Sequence, residues 1–242
     1  RDSEANVNPV SGNDVVTTLN IDFQDVTENA LRKGILANKA SWGCAVLMEV
    51  KTGNIKSISN LYYDTLTNKL SEYYNYAIGM HNDPGSTFKL ASLICGIEDK
   101  KLSVNDVVDT QNGIYQFYDQ KIHDSKKGGY GKLTVSEAFI KSSNVFSKII
   151  NEAYKSDPWL YINRIYKMGF GEPLSLDLPY ANNLFVNSPD KSNWSGISLP
   201  YMAIGYEMQF TPLHLLTFYN AIANRGRMVK PTFFKMVKKQ NQ

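Results

Sequence analysis

A serine and a lysine stand three places apart in the stretch PGSTFKLASL, residues 84–93. On a helix, positions i and i+3 share a face, so the Ser86 hydroxyl and the Lys89 ammonium are predicted to be neighbours. A serine hydroxyl is a poor nucleophile without a base in hydrogen-bond reach, and a lysine can be that base only when it is neutral. The positive end of a helix and burial both disfavour an ammonium, so this pair could serve as nucleophile and base.

A second polar group, Ser142 to Asn144, interrupts an apolar helical pattern later in the chain. A hydroxyl at Ser142 can relay a proton between the lysine and a leaving group, and the Asn144 amide can hold a substrate carbonyl and N–H together. Alone, each pattern is weak, because both occur a second time. The additional copies are Ser188 with Lys191, in a loop that contains a proline, and SGN at residues 11–13.

The elements that must position these groups are predicted from local patterns. Apolar spacing predicts an amphipathic helix over 23–38. Two apolar runs, 42–50 and 55–61, predict strands about a tight turn in which Gly53 supplies a permissive backbone. Residues 1–20, rich in Asn, Ser, Asp and Val, are predicted to be an extended lead-in or linker.

Four further helices are predicted around and after the polar motifs. A buried helix begins at Ser86, since apolar residues occupy most of its sides. The capping-box pattern TVSE, residues 134–137, begins a helix that ends before Ser142, and another helix covers 145–154. The last lies within 211–226, with threonine at its N-cap, proline at its first position and glycine beyond its end.

Composition and charge exclude several classes of function. The 242 residues are 43% hydrophobic, enough to bury a substantial core. Lysine and arginine number 26 against 23 acidic residues, without a block of like charge, so neither nucleic acid nor an acidic membrane surface is indicated. The three histidines stand far apart without metal-ligand spacing, so we expect no metal and no cofactor. Cys44 and Cys95 lie in apolar runs and are interpreted as buried free thiols.

The order S-x-x-K followed by S-x-N resembles that of penicillin-binding proteins and serine β-lactamases. PGSTFK and KSSN are similar to the motifs of penicillin-binding transpeptidases, and GYEMQFTPLHLLTFYNAIANRG, residues 205–226, resembles a later stretch of that family. The segment VVTTLNIDFQDVTENAL also resembles the start of the transpeptidase domain. The resemblance spans residues 14–235 and points to class B proteins, near the cell-division transpeptidases.

The resemblance implies an α/β fold of the α+β type, with helices packed on an antiparallel sheet and a transpeptidase domain over residues 21–242. It implies that Ser86 is acylated by the D-Ala-D-Ala end of a peptidoglycan stem peptide or by a β-lactam. Lys89 would be the base, Ser142 the proton relay and Asn144 a substrate-amide contact. A second stem-peptide amine would then resolve the acyl-enzyme and form a cross-link.

The same resemblance implies partners and a location. Peptidoglycan stem peptides and β-lactam antibiotics are the expected ligands, and division or elongation membrane proteins are the expected protein partners. The chain begins at Arg1 rather than at methionine, and no run approaches ~18 consecutive apolar residues. We therefore expect an extracytoplasmic, periplasmic domain of the bacterial cell envelope, anchored in the inner membrane by a segment outside this chain.

The third motif of the family, a K-T-G strand, does not stand where the resemblance requires it. Lys51, Thr52 and Gly53 spell KTG, but they precede Ser86 and fall in the predicted hairpin turn, so we interpret them as turn residues. No K-[ST]-G follows Asn144. The resemblance implies that the strands that carry KTG lie beyond Gln242, and that the 242-residue chain alone is inactive.

Two other functions stay open. A serine β-lactamase, including a class D-like one, shares STFK, but hydrolysis of its acyl-enzyme needs a base that activates water. The class A glutamate stands in E-x-x-L-N, and the candidate Glu172 in GEPLSLD lacks the Leu-Asn ending; class D enzymes carry S-x-V and Y-G-N instead. A non-catalytic penicillin-sensing or scaffold domain would keep both motifs and lose turnover.

Overall fold

The computed structural model describes residues 12–179 and 183–238. Within these residues the chain forms two compact units. Unit 1 comprises 12–77, 174–179 and 219–238, and unit 2 comprises 78–173 and 183–218.

Helices and strands are interspersed along the described chain. The helices are α1 (Ile21–Asn38), α2 (Tyr76–Gly79), α3 (Lys89–Glu98), α4 (Val135–Ile140), α5 (Val145–Tyr154), α6 (Pro158–Ile165), α7 (Ser198–Met202) and α8 (Pro212–Ala223). The strands are β1 (Asp14–Thr17), β2 (Trp42–Met48), β3 (Ile55–Asp64), β4 (Lys69–Ser71), β5 (Val107–Asp109), β6 (Ile114–Phe117), β7 (Gln120–His123), β8 (Lys132–Thr134), β9 (Phe185–Val186), β10 (Met208–Gln209) and β11 (Phe234–Lys238).

Unit 1 contains an antiparallel sheet of order β2-β3-β4. In its register Trp42 pairs with Tyr62 and Val46 pairs with Ile58. Helix α1 packs across β2 and β3. The side-chain amide of Gln24 fastens the helix to β3, because it accepts from Ile58 N and donates to Ile58 O, both at 2.9 Å. The predicted helix and hairpin are confirmed, whereas the short strand β4 was not predicted.

The KTG triplet lies in the turn between β2 and β3. Gly53 has a φ of 78°, and a Cβ on it would meet the Lys230 carbonyl oxygen at 2.1 Å, so the position requires glycine. The Thr52 hydroxyl donates to the Glu49 carboxylate at the start of the same turn. The interpretation of Lys51, Thr52 and Gly53 as turn residues is confirmed.

Part of the predicted extended lead-in over residues 1–20 forms a strand. Strand β1 pairs antiparallel with β11, with Val15 opposite Val237. Thr18 Oγ1 donates to Ile55 O at 2.7 Å, which attaches the chain to the start of β3. This part of the lead-in therefore belongs to unit 1. A local pattern could not show the pairing, because the partner strand comes from the other end of the described chain; the first eleven residues lie outside the described ones.

Unit 2 is built around α3, which packs against α5 and α6. The helix predicted from Ser86 begins as a 3₁₀ turn over Gly85–Phe88, and its α-helical part begins at Lys89. Such a tighter first turn is common at helix N-termini. The aromatic residues of its buried core include Phe88, Phe146, Phe170 and Phe210.

The other predicted helices form as expected, and α4 and α5 belong to unit 2. The capping box at the start of α4 is complete, since Thr134 Oγ1 accepts from Glu137 N at 3.1 Å and Glu137 Oε2 accepts from Thr134 N at 2.8 Å. Helix α8 begins at Pro212, directly after Thr211, as predicted. Three antiparallel strand pairs complete the unit: β5 with β8, β6 with β7, and β9 with β10.

Every named strand pair is antiparallel, and helices pack on the sheet of unit 1, so the predicted α+β class is confirmed. Both cysteines have free thiols, with Cys95 buried and Cys44 half-buried. Burial raises the pKa of the Cys95 thiol to about 12. Among the residues described, no helix is both long enough and apolar enough to cross a membrane.

Candidate active site

Ser86 lies on the 3₁₀ turn that precedes α3, with an exposed side chain. The turn rests on the backbone of Gly205. Gly85 N donates to Gly205 O at 2.9 Å, and a Cβ on Gly205 would meet Gly85 O at 2.0 Å. Gly205 also has a φ of 87°, in the region that glycine favours. This close backbone contact fixes the turn and leaves the Ser86 hydroxyl at the surface.

Lys89 follows Ser86 by one turn, because its backbone N–H donates to Ser86 O. Side chains at i and i+3 of a 3₁₀ turn eclipse one another, so the two residues lie on the same side. Their exposures are opposite: Lys89 is only 1% exposed, whereas Ser86 faces solvent. An exposed hydroxyl on the same side as a buried amine is an arrangement in which a lysine could activate a serine.

The Lys89 side chain connects the first motif to the second. Its Nζ donates to the carbonyl oxygen of Ser142 at 2.7 Å and to Ser142 Oγ at 3.2 Å. Ser142 has a φ of 51°, in the left-handed region, and lies in the turn between α4 and α5. The structure therefore brings together Lys89 and Ser142, two of the site residues predicted from the sequence.

The charge state of Lys89 is set by two opposing effects. Burial lowers the pKa of the Lys89 ammonium from 10.5 to about 8, and the negative charge of Asp124 acts in the opposite direction. With a pKa of about 8, about a tenth of the lysines would be neutral at pH 7. A neutral amine is therefore available to take a proton under physiological conditions.

Asp124 is a buried residue of the site that sequence reasoning missed. It follows β7 and is 8% exposed. Its carboxylate accepts from Ser143 Oγ at 3.0 Å, from Asn144 N at 2.5 Å and from the Tyr115 hydroxyl at 2.9 Å. No motif marked it, because its hydrogen-bond partners lie in two other parts of the sequence.

Asn144 stands at the N-terminus of α5, half-buried. Its Nδ2 donates to the carbonyl oxygen of His123 at 2.8 Å. An asparagine amide has two N–H donors and an acceptor oxygen, so one N–H and the oxygen remain for a ligand. This arrangement can bind a peptide group through its carbonyl and its N–H.

The other sequence matches have local structural roles. Ser188 Oγ donates to Asp190 Oδ1 at 2.6 Å, and Lys191 Nζ donates to Val186 O at 2.5 Å, so this serine and lysine do not form a pair. Glu172 is exposed, as a surface turn residue is expected to be. In the described ranges, no three His, Cys, Asp or Glu side chains converge in a way that could hold a metal ion.

Residues 43–242 match the family described as the penicillin binding protein transpeptidase domain. The chain belongs to this family. The predicted resemblance to penicillin-binding transpeptidases is thereby confirmed.

Curated relatives of this transpeptidase domain have matching names. A protein of Pseudomonas aeruginosa named "Probable peptidoglycan D,D-transpeptidase PbpC" is 28% identical over 226 residues, which cover 91% of this chain and 39% of that protein. Penicillin-binding protein PbpB of Mycobacterium tuberculosis is 27% identical, with 93% of this chain and 33% of that protein covered. The chain thus spans less than half the length of these relatives.

Solved structures show the same fold. Penicillin binding protein 3 of Mycobacterium tuberculosis, complexed with aztreonam, has a TM-score of 0.81 at 26% identity, covering 97% of this chain and 52% of that one. A peptidoglycan glycosyltransferase from Burkholderia ambifaria has a TM-score of 0.78 at 26% identity, covering 94% and 66%. The predicted fold class of the transpeptidase domain is therefore confirmed by structure as well as by sequence.

Proposed function

We propose that this domain is a serine D,D-transpeptidase that cross-links peptidoglycan stem peptides and is acylated by β-lactams. The observation that carries the proposal is the position of Lys89. Its Nζ is buried one turn from an exposed Ser86 and donates to both oxygens of Ser142. Lys89 thus connects the turn of Ser86 to the turn of Ser142, which supports the proposed roles of Ser86 as nucleophile, Lys89 as base and Ser142 as relay.

In the proposed acylation, Ser86 Oγ attacks the carbonyl carbon between the two D-Ala residues while neutral Lys89 takes the hydroxyl proton. The backbone N–H of Ser86 donates to the developing oxyanion. When the tetrahedral intermediate collapses, the proton on Lys89 passes through Ser142 Oγ to the leaving nitrogen, and D-Ala departs. Asn144 holds the peptide group of the substrate during both steps.

The second half of the reaction uses the same groups in reverse. The amine of a second stem peptide attacks the acyl-enzyme carbonyl and loses a proton through Ser142 to Lys89, which returns it to Ser86 Oγ. The product is a new amide bond between two stem peptides. A β-lactam would enter the same path, with its ring nitrogen as the leaving group that stays attached.

The names of relatives support the envelope setting of this proposal. Two of them, from Buchnera aphidicola, are named peptidoglycan D,D-transpeptidase FtsI. From the family resemblance we carry over division or elongation membrane proteins as partners, and an extracytoplasmic location with an anchor in the inner membrane. Fractionation of cells that express the full-length protein tests the location.

Mapping the site of acylation tests the proposed chemistry. The full-length protein is treated with a fluorescent penicillin, digested, and the adduct is located by mass spectrometry. We expect one adduct, on Ser86, and none in a Ser86→Ala variant. Ser188→Ala is the matched control, because it removes the serine of the other S-x-x-K pattern and should acylate normally. An adduct on any other serine would overturn the assignment.

A further inference from the structure

A buried carboxylate lies behind the turn that presents Ser142. Asp124 follows β7, and both of its oxygens accept hydrogen bonds: Oδ1 from Asn144 N at 2.5 Å and from Ser143 Oγ at 3.0 Å, and Oδ2 from Ser143 Oγ and from the Tyr115 hydroxyl. All three donors are neutral groups. A carboxylate that is 8% exposed is therefore held in place without a directly bonded cation.

The partners of Asp124 are the two residues that follow Ser142. Ser143 is 1% exposed, and its hydroxyl also accepts from Val145 N at 3.1 Å, which connects the carboxylate to the first turn of α5. A negative charge at a helix N-terminus is favourable because the first N–H groups point at it. Asp124 thus holds both the turn and the start of the next helix.

Ser142 itself takes a backbone conformation that needs such support. Its φ of 51° lies in the left-handed region, which costs a non-glycine residue free energy. Its N–H donates to Phe139 O at 2.9 Å, on the α4 side. On the other side, the bonds from Asp124 to Ser143 and Asn144 fix the chain. Hydrogen bonds therefore fix the chain on both sides of Ser142.

We propose that Asp124 is a positioning residue for acyl transfer: it keeps the Ser142 turn and the Lys89 side chain in the relative positions that proton transfer between them requires. The inference rests on the proposed function. Among the described residues, Asp124 makes no hydrogen bond to Ser86 or to Lys89; its partners are Tyr115, Ser143 and Asn144. It acts on the reaction through Ser143, Asn144 and Lys89.

The charge of Asp124 supports the same inference. The negative charge of Asp124 raises the pKa of Lys89, which burial lowers. The groups around it are accounted for: Tyr115 approaches from β6 and bonds to Asp124 itself, and Lys141, beside the Ser142 turn, is exposed with its Nζ over the Tyr130 ring. Removal of the Asp124 charge should therefore lower the Lys89 pKa further.

Two substitutions separate the packing role of Asp124 from its charge. Asp124→Ala removes the carboxylate that accepts from Ser143 Oγ, Asn144 N and the Tyr115 hydroxyl. Asp124→Asn keeps the size and an amide oxygen for Asn144 N, and its NH₂ can donate to the Ser143 or Tyr115 hydroxyl, either of which can accept. The asparagine variant should keep the turn and lose the charge.

The experiment measures the acylation rate of the full-length protein with fluorescent penicillin from pH 5 to 9, together with thermal unfolding. We expect Asp124→Ala to acylate about 10²-fold more slowly, as a misplacement of about 1 Å at a catalytic group costs. Asp124→Asn should stay within about 10-fold of wild type, with the low-pH limb of its profile moved to lower pH. Tyr115→Phe is the control, because it removes a bond to the same carboxylate without touching Asn144, and it should acylate at nearly the wild-type rate.

The inference would be overturned if Asp124→Ala acylated at the wild-type rate. It would also be overturned if Asp124→Ala and Tyr115→Phe lost rate only in proportion to their loss of thermal stability. If the alanine variant does not fold, Asp124→Asn tests the inference alone. A pH profile of acylation identical to that of the wild type would then contradict an effect of Asp124 on Lys89. A wild-type protein that fails to acylate at Ser86 would instead overturn the proposed function, and the inference with it.

Discussion

Replacement of Lys89 by methionine should slow acylation by at least about 10²-fold and, at neutral pH, stabilise the fold. Methionine has nearly the length of lysine and fills the same buried space without a charge. The pKa of Lys89 is about 8 in the folded chain against 10.5 for an ordinary lysine, so the protein holds a buried ammonium at a cost. At 1.36 kcal/mol per unit, that cost is about 3 kcal/mol at pH 7.

The stability gained by removing the buried ammonium is partly offset by the loss of the hydrogen bonds that Lys89 makes to Ser142 O and Oγ. Each contributes on the order of 1 kcal/mol net, and the exposed Ser142 can bond to water once the lysine is gone. The net stabilisation at pH 7 is therefore expected to be about 1 kcal/mol. The pH dependence of the stability difference between the two proteins is the better test, because the loss of these hydrogen bonds does not cancel it.

The folded wild type binds fewer protons than the unfolded chain between pH 8 and 10.5, because the Lys89 pKa is lowered on folding. Wild-type stability should therefore rise through this window relative to Lys89→Met, by about 3 kcal/mol in total. Other lysines and tyrosines titrate equally in both proteins and cancel in the difference. The advantage of the methionine variant should vanish and reverse as the pH rises.

Urea unfolding of both proteins at a series of pH values from 7 to 10.5 measures the difference directly. Lys51→Met, at an exposed lysine in the β2–β3 turn, is the matched control and should show no such dependence. Fluorescent-penicillin labelling gives the activity arm, where Lys89→Met should be slower by at least about 10²-fold. A stability difference that is constant with pH, or normal acylation without Lys89, would refute the reasoning.

Two further outcomes are expected. The acyl-enzyme should persist for many minutes, because the segment GEPLSLD around Glu172 lacks the Leu-Asn ending of the class A motif that holds a water-activating base. Rapid nitrocefin turnover by the protein would favour a β-lactamase. Gly205→Ala should reduce acylation by about 10²-fold, because its Cβ would meet Gly85 O at 2.0 Å and displace the Ser86 turn. The control Gly34→Ala should acylate normally, because a Cβ at Gly34 meets nothing within 4 Å. Acylation that survives Gly205→Ala would show that the contact does not position Ser86.

The features that the sequence predicted well are those that a short window contains. The capping box at Thr134 and the turn at Gly53 follow from a few adjacent residues, and α1 follows from its own apolar spacing. The motif residues Lys89 and Ser142 could be paired only through family resemblance, since nothing local connects them. Their direct hydrogen bond remains a finding of the structure.

The features that the sequence did not predict depend on contacts between distant segments. The pairing of β1 with β11 joins the two ends of the described chain. Asp124 is an ordinary aspartate in sequence, and only the fold surrounds it with Tyr115, Ser143 and Asn144. The contact of Gly205 with Gly85 is of the same kind, because neither glycine carries a side chain that a pattern could detect.

The shorter of the two hydrogen bonds from Lys89 goes to the main chain of Ser142, not to its side chain. A codon change at this position alters the hydroxyl but leaves the carbonyl oxygen in place, provided that the new residue tolerates a φ of 51°, as asparagine does. Under the proposed mechanism, such a change would remove the relay to the leaving group and keep the amine where it is. A single inherited substitution would therefore slow acyl transfer to substrate and β-lactam alike without displacing the proposed base.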